Sequence, residues 1–158
     1  MPDKEFLLPS VYLKPINIVC GQKYIDFPRI LAGQGVSPSL IHGPTEFISQ
    51  IAFIKILNEA AKAGNEDILG FLAGRLIKLQ DNGVMGQFIA SQTCIANMYP
   101  IINFMFNVES RGASHELSVQ GSQAIHEIKY WVEDEVNCDQ VALLTVTAYS
   151  VTFRQLLG

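Results

Sequence analysis

The chain has 158 residues, of which 49% are hydrophobic and 16% are charged, and its formal net charge at pH 7 is −4. This composition excludes an intrinsically disordered chain, which would combine low hydrophobicity with a high net charge. It also argues against a nucleic-acid-binding surface within the segment, because phosphate binding needs clustered lysine and arginine. A chain of this length buries roughly 70% of its unfolded surface, so one domain can hold a full hydrophobic core.

The cysteines and the apolar runs indicate the cellular compartment of the protein. Cys20, Cys94 and Cys138 have no metal-binding spacing, and their odd number does not indicate a disulfide framework. No apolar run approaches the ~18 residues of a membrane helix, and the N-terminus is too polar for a signal peptide. We therefore expect a cytoplasmic protein with no membrane partner. The low charged fraction also suggests that a partner or ligand covers part of the apolar surface.

The N-terminal part of the chain is predicted to be helical. Residues 11–20 are apolar and contain Pro15, which predicts a short helix kinked near its middle. A second short helix is predicted over residues 27–32, with a proline in its first turn. After a loop rich in glycine and proline, Thr45 can cap a third helix that runs to about Ala63 and should be largely buried.

The next predicted helix begins at Asn65 or Asp67 and ends near Leu79. Gly70 and Gly74 lie four residues apart on one of its faces. Each glycine costs about 1 kcal/mol relative to alanine within a helix. We therefore expect another backbone to pack closely against this face.

Two further helices are predicted before the pattern changes. A short helix follows Gly83-Val84-Met85-Gly86 and runs through Ala90. A central apolar helix then covers residues 94–107 and is expected to bend at Pro100.

Alternation typical of β-strands begins at about residue 113. Two alternating segments flank Gly121-Ser122, a pair that suits a type II′ turn, so a hairpin is predicted over about residues 113–133. In this register, His115 and His126 both join the apolar face of the hairpin, one cross-strand diagonal apart.

A C-terminal helix is predicted over residues 138–157. Asn137 and Gln140 have the spacing of a capping box, although the β-branched residues of this stretch favour a strand. Together the elements predict an α+β fold, in which a mainly helical N-terminal part packs on a small antiparallel sheet and a helix follows.

Motifs for catalysis are missing from the sequence. It contains no P-loop, no dinucleotide-binding GxGxxG, no HExxH and no GxSxG, so we expect neither an enzyme nor a bound cofactor. His115 and His126 lack a fixed third ligand, so no metal site is predicted from them. The cysteines beside helix starts, Cys94 and Cys138, are expected to be structural.

An apolar pocket with a few polar groups is the alternative kind of site, and small-molecule sensors are commonly lined in this way. The central helix, the hairpin and two glycine-bearing helices would enclose it. Its candidate lining residues are Met98, Tyr99, Phe104, Met105, His115, His126 and Tyr130. The competing interpretation is that these side chains simply fill the core.

Several motifs occur in a characteristic order. The segment from Ile48 to Asp67 ends in paired alanines and a Gly-Asn turn, and Gly70-Phe71-Leu72-Ala73-Gly74 follows it. Gly83-Val84-Met85-Gly86 and Ser91-Gln92-Thr93 come next. This order resembles the N-terminal, arabinose-binding-like regulatory domain of AraC-type bacterial transcription regulators, although a phenylalanine replaces the leucine usual in the second motif. The similarity spans most of residues 11–157.

The resemblance implies an effector-sensing, self-associating domain that precedes two helix-turn-helix motifs in the full-length regulator. The segment has no basic recognition helix, so DNA contact is expected from residues beyond Gly158. Residues 1–158 would then be a single, truncated effector-sensing and dimerisation domain that binds an unknown small molecule and forms a homodimer. The alternative is a free-standing binding protein for a small molecule or haem-like ligand, contacted by His126 or His115.

Overall fold

Helices dominate the computed structural model, which describes residues 6–81, 83–109, 113–130 and 136–157. The strands are β1 Leu7–Pro9, β2 Phe47–Ser49, β3 Ala113–Gln120 and β4 Gln123–Tyr130. The α-helices are α1 Leu13–Gln22, α2 Phe27–Gly33, α3 Gln50–Ala63, α4 Leu69–Gly74, α5 Gly83–Ala90, α6 Ile95–Glu109 and α7 Asp139–Leu157. Short 3₁₀ helices cover Ser10–Tyr12, Pro38–Ile41 and Leu79–Asp81. The predicted α+β class with a C-terminal helix is confirmed.

Two expectations for the N-terminal half are wrong. Pro15 does not kink a helix, because α1 begins at Leu13 and places the proline in the first turn. Backbone N–H groups there have no partner within the helix, so a proline costs little. The helix expected to start at Thr45 begins instead at Gln50, because the residues before it pair with β1 as the antiparallel strand β2.

The main core lies among α1, α2, α3, α4 and the start of α7. As predicted, α3 is largely buried, and its side chains pack against those of the first two helices. The fully buried side chains of this core include Leu13, Ile16, Phe27, Leu31, Phe53, Ile54, Ile56, Leu57 and Leu69. These apolar side chains supply most of the burial that stabilises the N-terminal half.

The helices α4 and α7 cross at Gly70 and Gly74, as the spacing of these glycines predicts. A methyl group on Gly70 would overlap the carbonyl oxygen of Gln140. One on Gly74 would lie 2.5 Å from the carbonyl oxygen of Leu144. The helix is shorter than expected, because it ends at Gly74 rather than near Leu79. The N–H groups of Leu76 and Ile77 then donate to carbonyls three residues back, the tighter bonds that close a helix.

The side chain of Gln140 joins α7 to α4 and does not cap its own helix. Its Oε1 accepts a hydrogen bond from the Gly70 N–H at 2.8 Å, and its Nε2 donates to the Asp67 carbonyl at 2.7 Å. The predicted capping box is therefore wrong for Gln140. Asn137 does cap, because its Oδ1 accepts from the Asp139 N–H at 2.8 Å. The Gly70 N–H lies in the first turn of α4, where N–H groups have no acceptor within the helix, and the Gln140 side chain supplies one.

The β3–β4 hairpin forms in the predicted register. His115 pairs with Ile128, and His126 pairs with Leu117 on the opposite strand. Gly121 has φ of +62°, as the first central residue of a type II′ turn requires. Residues 131–133 of the predicted hairpin lie outside the described residues.

A second, smaller core lies between α5, α6, α7 and the hairpin. It contains Ile89, Met98, Ile102 and Tyr149 as buried side chains, with Ile128 packed against them. The central helix α6 continues on both sides of Pro100. Among the described residues, none of the helices combines the length and apolarity that a membrane span needs.

Candidate functional site

Two histidines of the hairpin and one tyrosine of α7 meet beside the second core. Side chains alternate between the faces of a strand, so the register places His115 of β3 and His126 of β4 on the same face. Nδ1 of His115 lies 3.3 Å from Nε2 of His126 and 3.2 Å from Oη of Tyr149. Tyr99 of α6 adjoins them. We call Tyr99, His115, His126 and Tyr149 the His–Tyr cluster.

The imidazole of His126 is held between two aromatic rings. The ring of Tyr99 meets it edge-on with 5.3 Å between centroids, and the ring of Tyr149 meets it edge-on at 4.6 Å. Phe153 supports Tyr149 from the next turn of α7, with 5.8 Å between ring centroids. Edge-to-face contacts of this kind fix ring orientation as well as position.

Burial keeps both histidines of the cluster neutral at pH 7. His115 is only 8% exposed, and this burial, with a smaller contribution from His126, lowers the pKa of His115 to about 4. Burial also lowers the pKa of His126. A neutral imidazole keeps one nitrogen with a free lone pair and one N–H. The site therefore presents imidazole nitrogens that can accept a hydrogen bond or bind a cation.

The tyrosines of the cluster are held as neutral phenols. Burial raises the pKa of Tyr149 well above its usual value. Burial, together with the charge of Glu116, also raises the pKa of Tyr99. The Tyr99 hydroxyl is buried and has no hydrogen-bond partner in the part of the chain that the structure describes. Leaving a buried hydroxyl unpaired costs about 1–3 kcal/mol, which a bound ligand could recover.

The structure brings together some of the residues predicted to line a pocket. His115, His126 and Tyr99 belong to the cluster, and Met98 is fully buried in the second core with Tyr149. The proximity of these four residues is the part of the candidate site that the sequence predicts.

Two other predicted lining residues, Phe104 and Tyr130, have different surroundings. Phe104 is 62% exposed, and the side chain of Met105 lies outside the described part of the structure. Tyr130 donates a hydrogen bond to Oγ1 of Thr145 at 2.6 Å and packs against the main core. Phe104 and Tyr130 thus do not join the four residues of the cluster.

Sequence reasoning missed Tyr149. This residue follows Thr145 by four positions and precedes Thr152 by three, which places all three on one side of a helix. This spacing indicates a shared face only if the segment is already assigned as a helix. The β-branched residues of the segment obscure it because they favour a strand.

The hydrogen bond between Tyr130 and Thr145 is expected to contribute about 1 kcal/mol to stability. Tyr130→Phe should lower the free energy of unfolding by about that amount, because the ring stays packed and only the hydroxyl is lost. Urea unfolding of Tyr130→Phe, Thr145→Val and the double variant measures the coupling between the two side chains. Tyr24→Phe, at a 97% exposed tyrosine, is the matched control. A coupling energy of zero would contradict this assignment.

Within the described residues, no group of three or more histidine, cysteine, aspartate or glutamate side chains is placed to hold a metal ion. The cluster offers two imidazoles and two phenols, a set suited to binding.

No protein-family model matches the chain, and no curated protein shows significant similarity to it. The resemblance to AraC-type regulatory domains therefore remains a hypothesis supported by its own motifs. Helix packing alone explains Gly70 and Gly74 of these motifs, because any side chain there would meet the backbone of α7.

Proposed function

We propose that the chain is the N-terminal effector-sensing and oligomerisation domain of an AraC-type bacterial transcription regulator, with the His–Tyr cluster as its effector site. The observation that carries the proposal is the convergence of four polar aromatic side chains from the hairpin, α6 and α7 beside an apolar core. A ligand at this point would contact all three elements. It could change their packing only by binding one arrangement more tightly than another.

The charge of the segment supports a division of labour between sensing and DNA binding. With a net charge of −4, residues 1–158 lack the excess of lysine and arginine that a DNA-binding surface needs. In the proposed regulator, DNA contact belongs to two helix-turn-helix units that follow Gly158. The protein would act in the cytoplasm, where its promoter DNA lies.

Two observations test this division. The complete reading frame should encode two helix-turn-helix units after Gly158, and a stop codon at that point would contradict the proposal. Residues 1–158 alone should show no measurable binding to duplex DNA at ~150 mM salt, whereas the full-length protein should bind. Duplex binding by the segment itself would also count against the proposal.

Self-association is the second part of the proposal. Several large apolar side chains of the described surface are more than half exposed, which supports coverage by a second copy of the chain. They are Phe47, Val84, Phe88, Phe104, Val119 and Val146. Sedimentation equilibrium should therefore detect dimers of the segment, and a strictly monomeric protein at high micromolar concentration would contradict this part.

A further inference from the structure

Two separations between donor atoms of the His–Tyr cluster are close to those between neighbouring ligands of one metal ion. Nδ1 of His115 is 3.3 Å from Nε2 of His126 and 3.2 Å from Oη of Tyr149. In tetrahedral coordination with metal–ligand distances of about 2.0–2.1 Å, neighbouring donor atoms lie about 3.3–3.4 Å apart. Both separations in the cluster match this spacing.

Hydrogen bonding is the other account of these contacts. The contact of Tyr149 with His115, at 3.2 Å, lies at the long end of the range for a hydrogen bond between nitrogen and oxygen. In addition, Nδ1 of a neutral imidazole is either one donor or one acceptor, yet two polar atoms approach it. A single cation bound by the three atoms would accept one lone pair from each of them.

The chemistry of the donors selects the class of ion. Imidazole nitrogens suit zinc, copper, nickel and iron, whereas calcium and magnesium prefer sets of oxygen ligands. Imidazole nitrogens bind metal in their unprotonated form, so metal binding is expected to weaken at acidic pH. Coordination through Nδ1 of His115 and Nε2 of His126 leaves the other nitrogen of each ring protonated.

We infer that the cluster binds one late first-row divalent transition metal ion, Zn²⁺ or Cu²⁺, through His115, His126 and Tyr149. The inference rests on the proposed function and deepens it by naming this ion as the class of effector. Tyr149 binds as a phenolate, because the charge of a bound cation reverses the effect of burial on an acidic ligand. Its phenolic proton passes to the buffer, so the uptake of one ion releases one proton.

The test is a titration of the metal-free chain with Zn²⁺ and with Cu²⁺, followed by calorimetry and visible absorbance. We expect one ion per chain, release of one proton, and a phenolate-to-copper charge-transfer band with Cu²⁺. His126→Gln should weaken binding by more than the ~10–100-fold that loss of an outer-shell partner costs. Tyr149→Phe should abolish the copper band and weaken binding, while its ring still packs against Phe153.

The remaining histidine of the chain provides the matched control. His42 is exposed, so His42→Gln should bind metal as wild type does. Equal affinities of wild type and His126→Gln, equal weakening by His42→Gln, or no binding at submillimolar metal would each overturn the inference. Circular dichroism checks that His126→Gln folds, and if it does not, the copper band of Tyr149→Phe decides.

This experiment separates the metal inference from the regulator proposal. If metal fails to bind but helix-turn-helix units follow Gly158, the ion is the wrong effector class and the regulator proposal stands. If metal binds but the reading frame stops at Gly158, the cluster is a metal site in a protein of another kind.

Discussion

Gly70→Ala is expected to destabilise the fold by about 3 kcal/mol or more, the upper end of what overpacking a core usually costs. The added methyl group would overlap the carbonyl oxygen of Gln140, which belongs to the backbone of α7 and cannot rotate away. The helices would have to separate, and the hydrogen bond from the Gly70 N–H to the Gln140 side chain would lengthen. Helix propensity alone predicts the opposite sign, because alanine is favoured over glycine by about 1 kcal/mol within a helix.

Urea unfolding of a small set of glycine variants measures this effect. Gly74→Ala should also destabilise the fold, because its methyl group would lie 2.5 Å from the Leu144 carbonyl oxygen and 2.8 Å from Cβ of Thr147. Gly21→Ala in α1 is the matched control, since a methyl group there would meet nothing within 4 Å. It should be neutral or stabilising by up to about 1 kcal/mol. If Gly70→Ala matched Gly21→Ala, the crossing of α4 and α7 would be wider than the structure has it.

The glycines show what sequence spacing can and cannot predict. Two glycines four residues apart indicate that a backbone passes close by, and this expectation is confirmed. The partner is α7, about seventy residues later in the chain, as the hydrogen bond between Gly70 and Gln140 shows. No local pattern names such a partner. Because sequence spacing indicates only local partners, it predicted that Gln140 caps its own helix. In the structure, the Gln140 side chain instead bonds to the Gly70 N–H of α4.

Elements defined by local chemistry were predicted well. The hairpin register follows from a two-residue turn and from strand alternation, both of which lie within about twenty residues. The pairing of β1 with β2 was missed, because each strand has only three residues and alternation cannot be read from so few. Their pairing depends on a partner about forty residues away, and it delays the start of α3 to Gln50.

The sequence predicted the part of the candidate site that lies on the hairpin and missed the part that comes from a distant helix. The hairpin register predicted the meeting of His115 and His126, but the third donor, Tyr149, comes from a helix whose β-branched residues favour a strand. Phe104 was expected in the pocket and is exposed. The helix α6 is apolar on most of its circumference, so its sequence does not show which face is buried.

The metal-free protein is expected to lose stability steeply as the pH falls from about 6.5 towards 4. Folded His115 has a pKa lowered from 6.5 to about 4, because burial disfavours its charged form. Between these two pH values, His115 binds a proton in the unfolded chain but not in the folded chain. Lowering the pH therefore favours unfolding. The free energy of unfolding is not reduced by His115 above pH 6.5. It decreases as the pH falls through this window, and His115 lowers it no further below its folded pKa of about 4. The decrease due to His115 amounts to about 3 kcal/mol, and the lowered pKa of His126 adds to it in the same direction.

Carboxylates also contribute to the pH dependence of stability, but they are the same in every variant. A comparison of variants therefore isolates the contribution of His115. Urea unfolding in the presence of a chelator, at steps of pH from 7 to 4, gives the slope of stability against pH. In His115→Gln the slope should flatten, although the variant starts from a lower stability because the contact with Tyr149 changes. In Tyr24→Phe, a substitution at an exposed tyrosine that removes no histidine, the slope should equal that of wild type. If His115→Gln kept the wild-type slope, another group would be responsible, and burial in the His–Tyr cluster would not be what holds this imidazole neutral.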